Sequence, residues 1–322
     1  MLKPEKKTNK RTSLIATTVV LLFALLAVPT TVILAAEAEN MSNNATNLGP
    51  SVNSPKSEHD PSISADELEL YFNSYRPGGF GNADIWMTTR KTKADPWGEP
   101  VNLGKTVNSP AHENAPDIST DGLSLYFCSD RSGGGGGRDV WVTKRKTKSD
   151  PWGEPVNLGP SVNSPADEHG PSISSDGLSL YFSGLWDDLK RSGGFGQADI
   201  WLTTRKTVAD PWGKPVNLGA TVNSPRMDES PSISEDGLSL YFNSNRPRGK
   251  GLMDVWVTKR KTKSDPWGEP VNLGPSFNTR GWEGNPDISR DGSTLYFASS
   301  WSGGSGGIDL WMVSLRKLGA KE

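Results

Sequence analysis

Five acidic residues, Glu58, Glu113, Glu168, Asp228 and Glu283, each stand three residues before a proline. Carboxylates recurring at one place in a repeat have two uses. Brought into a ring, their oxygens suit a hard cation such as calcium, which takes several carboxylate and carbonyl ligands. Left apart, each caps backbone N–H groups of its own loop, a local role repeated because the loop is repeated. His59, His112 and His169 lie beside them at unequal offsets, so no metal-ligand spacing is evident. A second recurring pair is Arg and Asp eight residues apart: Arg76/Asp84, Arg131/Asp139, Arg191/Asp199 and Arg246/Asp254. A planar guanidinium facing a carboxylate would bridge and shape the glycine-rich loop between them. In the fifth copy Asp309 remains, but Trp301 stands where the arginine would be.

Other features look like chemistry and resolve into structure. Gly133 to Gly137 resembles a phosphate loop, but no Gly-Lys-Ser/Thr follows and the run leads into a strand. Tight turns account for it. Trp97, Trp152, Trp212 and Trp267 recur in Asp-Pro-Trp-Gly turns and are expected to pack against a sheet edge. What is not repeated is more informative. Copy three carries five extra residues, with Trp186, Asp187 and Asp188 among them. Copy four adds Arg226, Arg248 and Lys250, and copy five adds Arg280, Trp282 and Trp301. Trp and Arg are the usual anchors of binding surfaces, so these departures could form an asymmetric site. A tolerated surface insertion is the plainer reading of the extra residues.

The element that must position all of these is one sentence written five times. Copies are headed by Asn47, Asn102, Asn157, Asn217 and Asn272, at spacings of 55, 55, 60 and 55 residues. Within a copy, Pro116 to Ser119 reads as a strand, Asp121-Gly122 as a turn, and Leu123 to Phe127 as a second strand. Asp139 to Thr143 is a third strand, Asp150-Pro-Trp-Gly153 a type I turn, and Val156 to Gly159 a fourth strand. Copy one has Asp66-Glu67 in place of Asp-Gly, so its turn is expected to avoid positive φ. Strands apolar on both sides need a sheet on each face, and radial packing of four-stranded sheets supplies it. The expected fold is an all-β, five-bladed β-propeller of four-stranded antiparallel blades. Copy five stops after its third strand, and the spare strand at 46–49 is expected to complete it and close the ring.

Pro-x-Ile-Ser-x-Asp-Gly-x-x-Leu-Tyr-Phe-x-Ser-x-Arg, then Gly-Gly and Asp-Ile-Trp, runs through Pro61 to Trp86 and Pro171 to Trp201. This pattern resembles the TolB-type, WD-like β-propeller repeats of exported bacterial proteins, over about residues 47–315. The resemblance implies a propeller in the cell envelope. TolB itself has six blades and a further N-terminal domain, whereas this chain has five copies.

The N-terminus differs in kind. Lys3, Lys6, Lys7, Lys10 and Arg11 make a basic region at 1–12, followed by an apolar stretch within 13–38 that ends at Ala36-Glu37-Ala38. That is an export signal, and its length also suits an inner-membrane anchor over 13–36. Either way the repeats are exported, periplasmic or extracellular. Residues 39–46 read as a linker and 316–322 as a tail. From residue 39 onward there are 30 basic against 35 acidic side chains, a balance that gives nucleic acid no footing. Cys128, the single cysteine, is expected to be buried and inert.

The leading expectation is a monomeric, non-catalytic propeller that presents its channel face to an envelope protein or glycan. A lectin with one weak site per blade is an alternative. A glycoside hydrolase is a third, with Asp187 or Asp188 acting beside Glu113 or Glu168. Such a reaction needs two carboxyl groups in unlike surroundings, and near-identical copies argue against that.

Overall fold

The computed structural model describes residues 45–185, 191, 193–275 and 277–315. The basic region, the signal or anchor segment, most of the linker, the tail, and Trp186, Asp187 and Asp188 lie outside the described residues. Among those described, no helix is long and apolar enough to cross a membrane.

The chain forms five four-stranded antiparallel sheets arranged as propeller blades. Blade 1 comprises β2 (Glu58–Ile63), β3 (Glu69–Ser74), β4 (Asp84–Thr89) and the two-residue β5 (Val101–Asn102). Blades 2, 3 and 4 repeat it, beginning at β6 (Glu113–Ile118), β10 (Asp167–Ile173) and β14 (Asp228–Ile233). Blade 5 holds β18 (Glu283–Ile288), β19 (Thr294–Ser299) and β20 (Asp309–Ser314). Its outermost strand is β1 (Ala45–Asn47), paired as Ala45 with Val313 and Asn47 with Trp311. The ring therefore closes through the N-terminal strand, as the truncated fifth copy implied.

Side chains explain why the blades need each other. In the strand Ser124–Ser129, Leu125 and Phe127 face one way and Tyr126 and Cys128 the other, and all four are buried. Five apolar cores follow, each lying between two successive blades rather than within one. Between blades 1 and 2, Tyr71 and Ile85 meet Val107, Leu125 and Phe127, each without accessible surface. Full burial of one such side chain contributes about 1.5–3 kcal/mol, so a blade without its neighbours loses most of its stabilisation. Trp97 and Trp212 are buried at the seam with the preceding blade, each beneath an arginine, Arg90 or Arg205, 4.2 Å from the indole centroid. Cys128 is a free thiol with no exposure, and burial pushes its pKa well up.

Two polar belts close the ring. An asparagine after each outer strand bonds both backbone groups of the preceding blade's third strand; Asn53 Oδ1 accepts from Leu310 N at 2.8 Å and its Nδ2 donates to Leu310 O at 3.0 Å. Near the axis, Ser62, Asp117, Ser172, Ser232 and Asp287 each accept from the next blade's isoleucine N–H. The donors are Ile118, Ile173, Ile233, Ile288 and Ile63, at 2.7–3.1 Å.

One turn departs from expectation. Glu67 adopts φ 59°, the conformation glycine supplies in the other four copies. The cost of a left-handed non-glycine residue is offset by side-chain anchoring. Lys93 Nζ donates to Glu67 Oε1 at 2.6 Å, and Arg90 Nε donates to the Glu67 carbonyl at 2.8 Å.

Candidate functional site: the channel mouth

The five repeated carboxylates do not form an open ring. Each opens the innermost strand of its blade, except Glu168, which is second in its strand, and all five have no accessible surface. Glu113 accepts from Ser109 N at 2.8 Å, Ser109 Oγ at 2.5 Å and Ser129 Oγ at 2.8 Å. Among the described residues no three metal-type side chains gather as a metal site. Local capping is the observed role, and the calcium-ring reading gives way to it.

The arginine partners are also corrected. Arg76, Arg131, Arg191 and Arg246 pair with Glu58, Glu113, Glu168 and Asp228, not with the aspartates eight residues on. Asp84 instead accepts from Phe80 N at 2.6 Å and Gly81 N at 3.2 Å, holding the glycine loop; Asp139, Asp199 and Asp254 take equivalent bonds. Spacing along the chain suggested the bridge, but antiparallel pairing sets Ser74, two residues before the arginine, opposite Glu58. In blade 5, Trp301 Nε1 donates to Glu283 Oε1 at 2.8 Å, and its indole packs on Phe277, Phe297 and Trp311. Trp301 is thus the arginine's structural substitute. No cation stands there, and burial raises the Glu283 pKa.

The channel mouth is built two residues further along each strand. Every innermost strand carries a bulge, where pairing register shifts. At it lie Asp60, Ala115, Gly170, Ser230 and Asn285, all with φ between 49° and 57°. Bulges re-aim side chains and recur next to functional sites. These five residues and the prolines after them, with Asp117 and Asp287, line a cavity of about 30 Å³ on the axis, room for one water-sized molecule. A Cβ on Gly170 would stand 2.7 Å from Ser230 Cα, so glycine is required where blades 3 and 4 converge.

Around this floor the blades differ. Positions flanking the buried carboxylates hold His59, Asn114, His169, Glu229 and Gly284 on one side, and Ser57, His112, Asp167, Met227 and Trp282 on the other. Asp60 Oδ2 accepts from Ala115 N at 3.2 Å and lies 4.0 Å from His169 Nε2. With its amide nitrogen turned inward, Asn73 also donates to Asp60 Oδ2 at 2.7 Å. His169 Nδ1 is 3.4 Å from Ser230 Oγ, which accepts from Asn285 Nδ2 at 3.0 Å. Glu229 Oε1 accepts from Asn243 Nδ2 at 3.1 Å. Above them runs an arc of rings, Trp282, His59, Tyr75 and His112, with successive centroids 5.6, 6.2 and 5.8 Å apart. Gly284 admits the Trp282 indole, because a Cβ there would meet it at 2.7 Å.

Burial sets the electrostatics. It raises Asp60 to about 7, against the pull of the Ala115 N–H and of Arg138. It likewise raises Glu229 to about 7, and Asp60 adds to the effect by like-charge repulsion. His59 and His169 are held down at about 4 and about 3, so both rings are neutral at pH 7. Glu229 is only half-buried by accessible surface, though protein surrounds it deeply. That combination describes the floor of a funnel. The mouth can therefore offer neutral imidazoles, aromatic rings, amides and two titrating carboxyl groups to one ligand.

Of the residues singled out from sequence, Trp282, His59, His112 and His169 are placed at this mouth by the described structure. Asp60, Glu229, Tyr75, Arg138, Asn243 and Asn285 were missed. Their signal was available: aligning the five copies shows the columns beside each buried carboxylate changing while their surroundings stay fixed.

No family model matches this chain, and no curated protein sequence does. Solved structures do share its fold. TolB from Acinetobacter baumannii is 15% identical with a TM-score of 0.50, the match covering 80% of this chain and 54% of that one. An α-L-arabinofuranosidase from Lactobacillus brevis is 14% identical with a TM-score of 0.53, covering 83% and 92%. The α-L-arabinofuranosidase PaAbf62A from Podospora anserina, in complex with cellotriose, is 13% identical at 0.52, covering 84% and 96%. By fold, this chain is a five-bladed β-propeller, an architecture it shares with TolB and with the arabinofuranosidases alike.

Proposed function

We propose that the protein is an exported, non-catalytic binding propeller of the cell envelope, which engages an envelope protein or glycan at its channel mouth. The observation that supports this reading is the gathering there of the side chains the five blades do not share, from His59 and Asp60 through Arg138 and Glu229 to Trp282. Aromatic rings and arginine are the usual anchors of recognition. Export rests on the apolar segment at 13–38. The test is capture from envelope extract, comparing wild type with Trp282→Ala and Arg138→Ala. Loss of one captured species in both variants, with unchanged melting, supports the reading. Identical capture by all three refutes it.

A second reading, glycoside hydrolysis, is favoured by one specific observation. Asp60 and Glu229 belong to blades 1 and 4, sit in unlike surroundings, and both titrate near neutrality. The equivalence of copies, which argued against such chemistry, does not hold at the mouth. Hydrolysis needs one carboxyl as acid and another as base or nucleophile. Release of sugar from arabinan or envelope glycan, abolished by Glu229→Gln and by Asp60→Asn, would replace the non-catalytic reading.

A further inference from the structure

Blades 2 and 3 enclose a groove of about 720 Å³ that the mouth does not use. Its size falls in the range of small-ligand sites, roughly 300–1,000 Å³. Gly135, Asn157, Ser161, Ser164, Arg191 and Lys214 are among the lining residues, and among the described residues no carboxylate lines it.

Three departures from the repeat converge on it. Gly135 stands where blades 1 and 3 carry the exposed phenyls Phe80 and Phe195, and a Cβ built on it meets open space. The glycine run therefore opens the groove. Lys214 replaces the glutamate that the other Trp-Gly-Glu-Pro turns hold as Glu99, Glu154 and Glu269. The lining thus has a cation where its counterparts have an anion. Gly184 replaces the serine of the other blades, Ser74, Ser129, Ser244 and Ser299. In blades 1, 2 and 4 that hydroxyl accepts from the arginine Nε at 3.0–3.2 Å. The Arg191 Nε is consequently buried without a partner among the described residues, while Nη2 bonds Glu168 Oε1 at 2.7 Å and the Val162 carbonyl at 2.6 Å.

We propose that this groove is a second binding site, for an acidic saccharide bearing a carboxylate and free hydroxyls. Lys214 meets the carboxylate, and Asn157, Ser161 and Ser164 meet the hydroxyls. The phenyl found at the Gly135 position in two other blades would fill the space.

The test uses calorimetric titration of the full chain with trigalacturonic acid and, for comparison, the neutral trisaccharide maltotriose. Wild type should bind the acidic sugar at least about tenfold more tightly, equivalent to about 1.4 kcal/mol. Gly135→Phe and Lys214→Glu should each weaken it about tenfold or more. Both install residues that other blades of this chain already carry at the same position, so folding is preserved; melting curves check that, and Lys214→Glu decides alone if Gly135→Phe unfolds. Trp282→Ala, at the mouth, should leave the affinity unchanged. Equal affinity for the neutral sugar, no binding by wild type, indifference to Lys214→Glu, or loss on Trp282→Ala would each overturn the proposal.

Discussion

Glu113 and Ala115 are two residues apart on one strand and belong to different worlds. The position of Glu113 is acidic in all five copies, fully buried, and bonded to serine and, in four blades, arginine. The position of Ala115 reads Asp, Ala, Gly, Ser and Asn around the ring, and it lines the channel. Repetition marks a residue that each blade needs for itself. Variation marks a place where each blade meets a different neighbour at the axis. The memorable motif was the builder, and its unremarkable neighbour lines the channel.

The comparison breaks most sharply at Glu113. Glu113→Ala leaves Arg131 buried without its partner, and breaking such a pair costs about 3–5 kcal/mol. Thermal unfolding should show that loss, whereas Trp282→Ala should change stability far less while removing binding. Equal stability losses would erase the distinction between builder and reader.

Next in size is the response to pH. Asp60 and Glu229 are raised from 3.8 and 4.5 to about 7, so the stability they lend is fully present near pH 4 and lost as pH rises through 7. His59 and His169, lowered from 6.5 to about 4 and about 3, lend stability above pH 6.5 that is lost as pH falls towards 4. Asp287 and Glu168, also raised to about 7 by burial, act in the same direction, so melting temperature should rise as pH falls from 8 to about 6, with the histidines opposing part of any further rise. An Asp60→Asn, Glu229→Gln double variant should lose much of that rise; an unchanged profile would remove these groups from the account.

Gly184→Ser restores the hydroxyl missing from blade 3. It should add about 1 kcal/mol by giving Arg191 Nε a partner, and should lower the Glu168 pKa, which burial holds at about 7. Differential scanning calorimetry and titration read both. The smallest effect belongs to the channel. Ala115→Gly should change stability by no more than about 1 kcal/mol, in the favourable direction, because φ 50° strains alanine and suits the glycine already present at 170.

Fold was legible because it rests on periodicity. Alternating apolar residues, Asp-Gly turns and a truncated fifth copy specify five blades and the strand that closes them, and the pairing of Ala45 with Val313 agrees. The site was less legible for a physical reason. A carboxylate's role depends on what the neighbouring strand sets opposite it, and Ser74 opposite Glu58 turned a presumed ligand ring into a sealed cap. The arginine's partner was misread likewise, since eight residues along a loop say little about distance across a sheet.

Sequence alone determined the number of blades, their strand order, the closure and the inertness of Cys128, because each follows from local pattern and burial. Tertiary structure decided which polar side chains reach open space. That question depends on bulges, on left-handed residues such as Asp60 and Ser230, and on the convergence of five strands at one axis, where residues about 55 positions apart become neighbours.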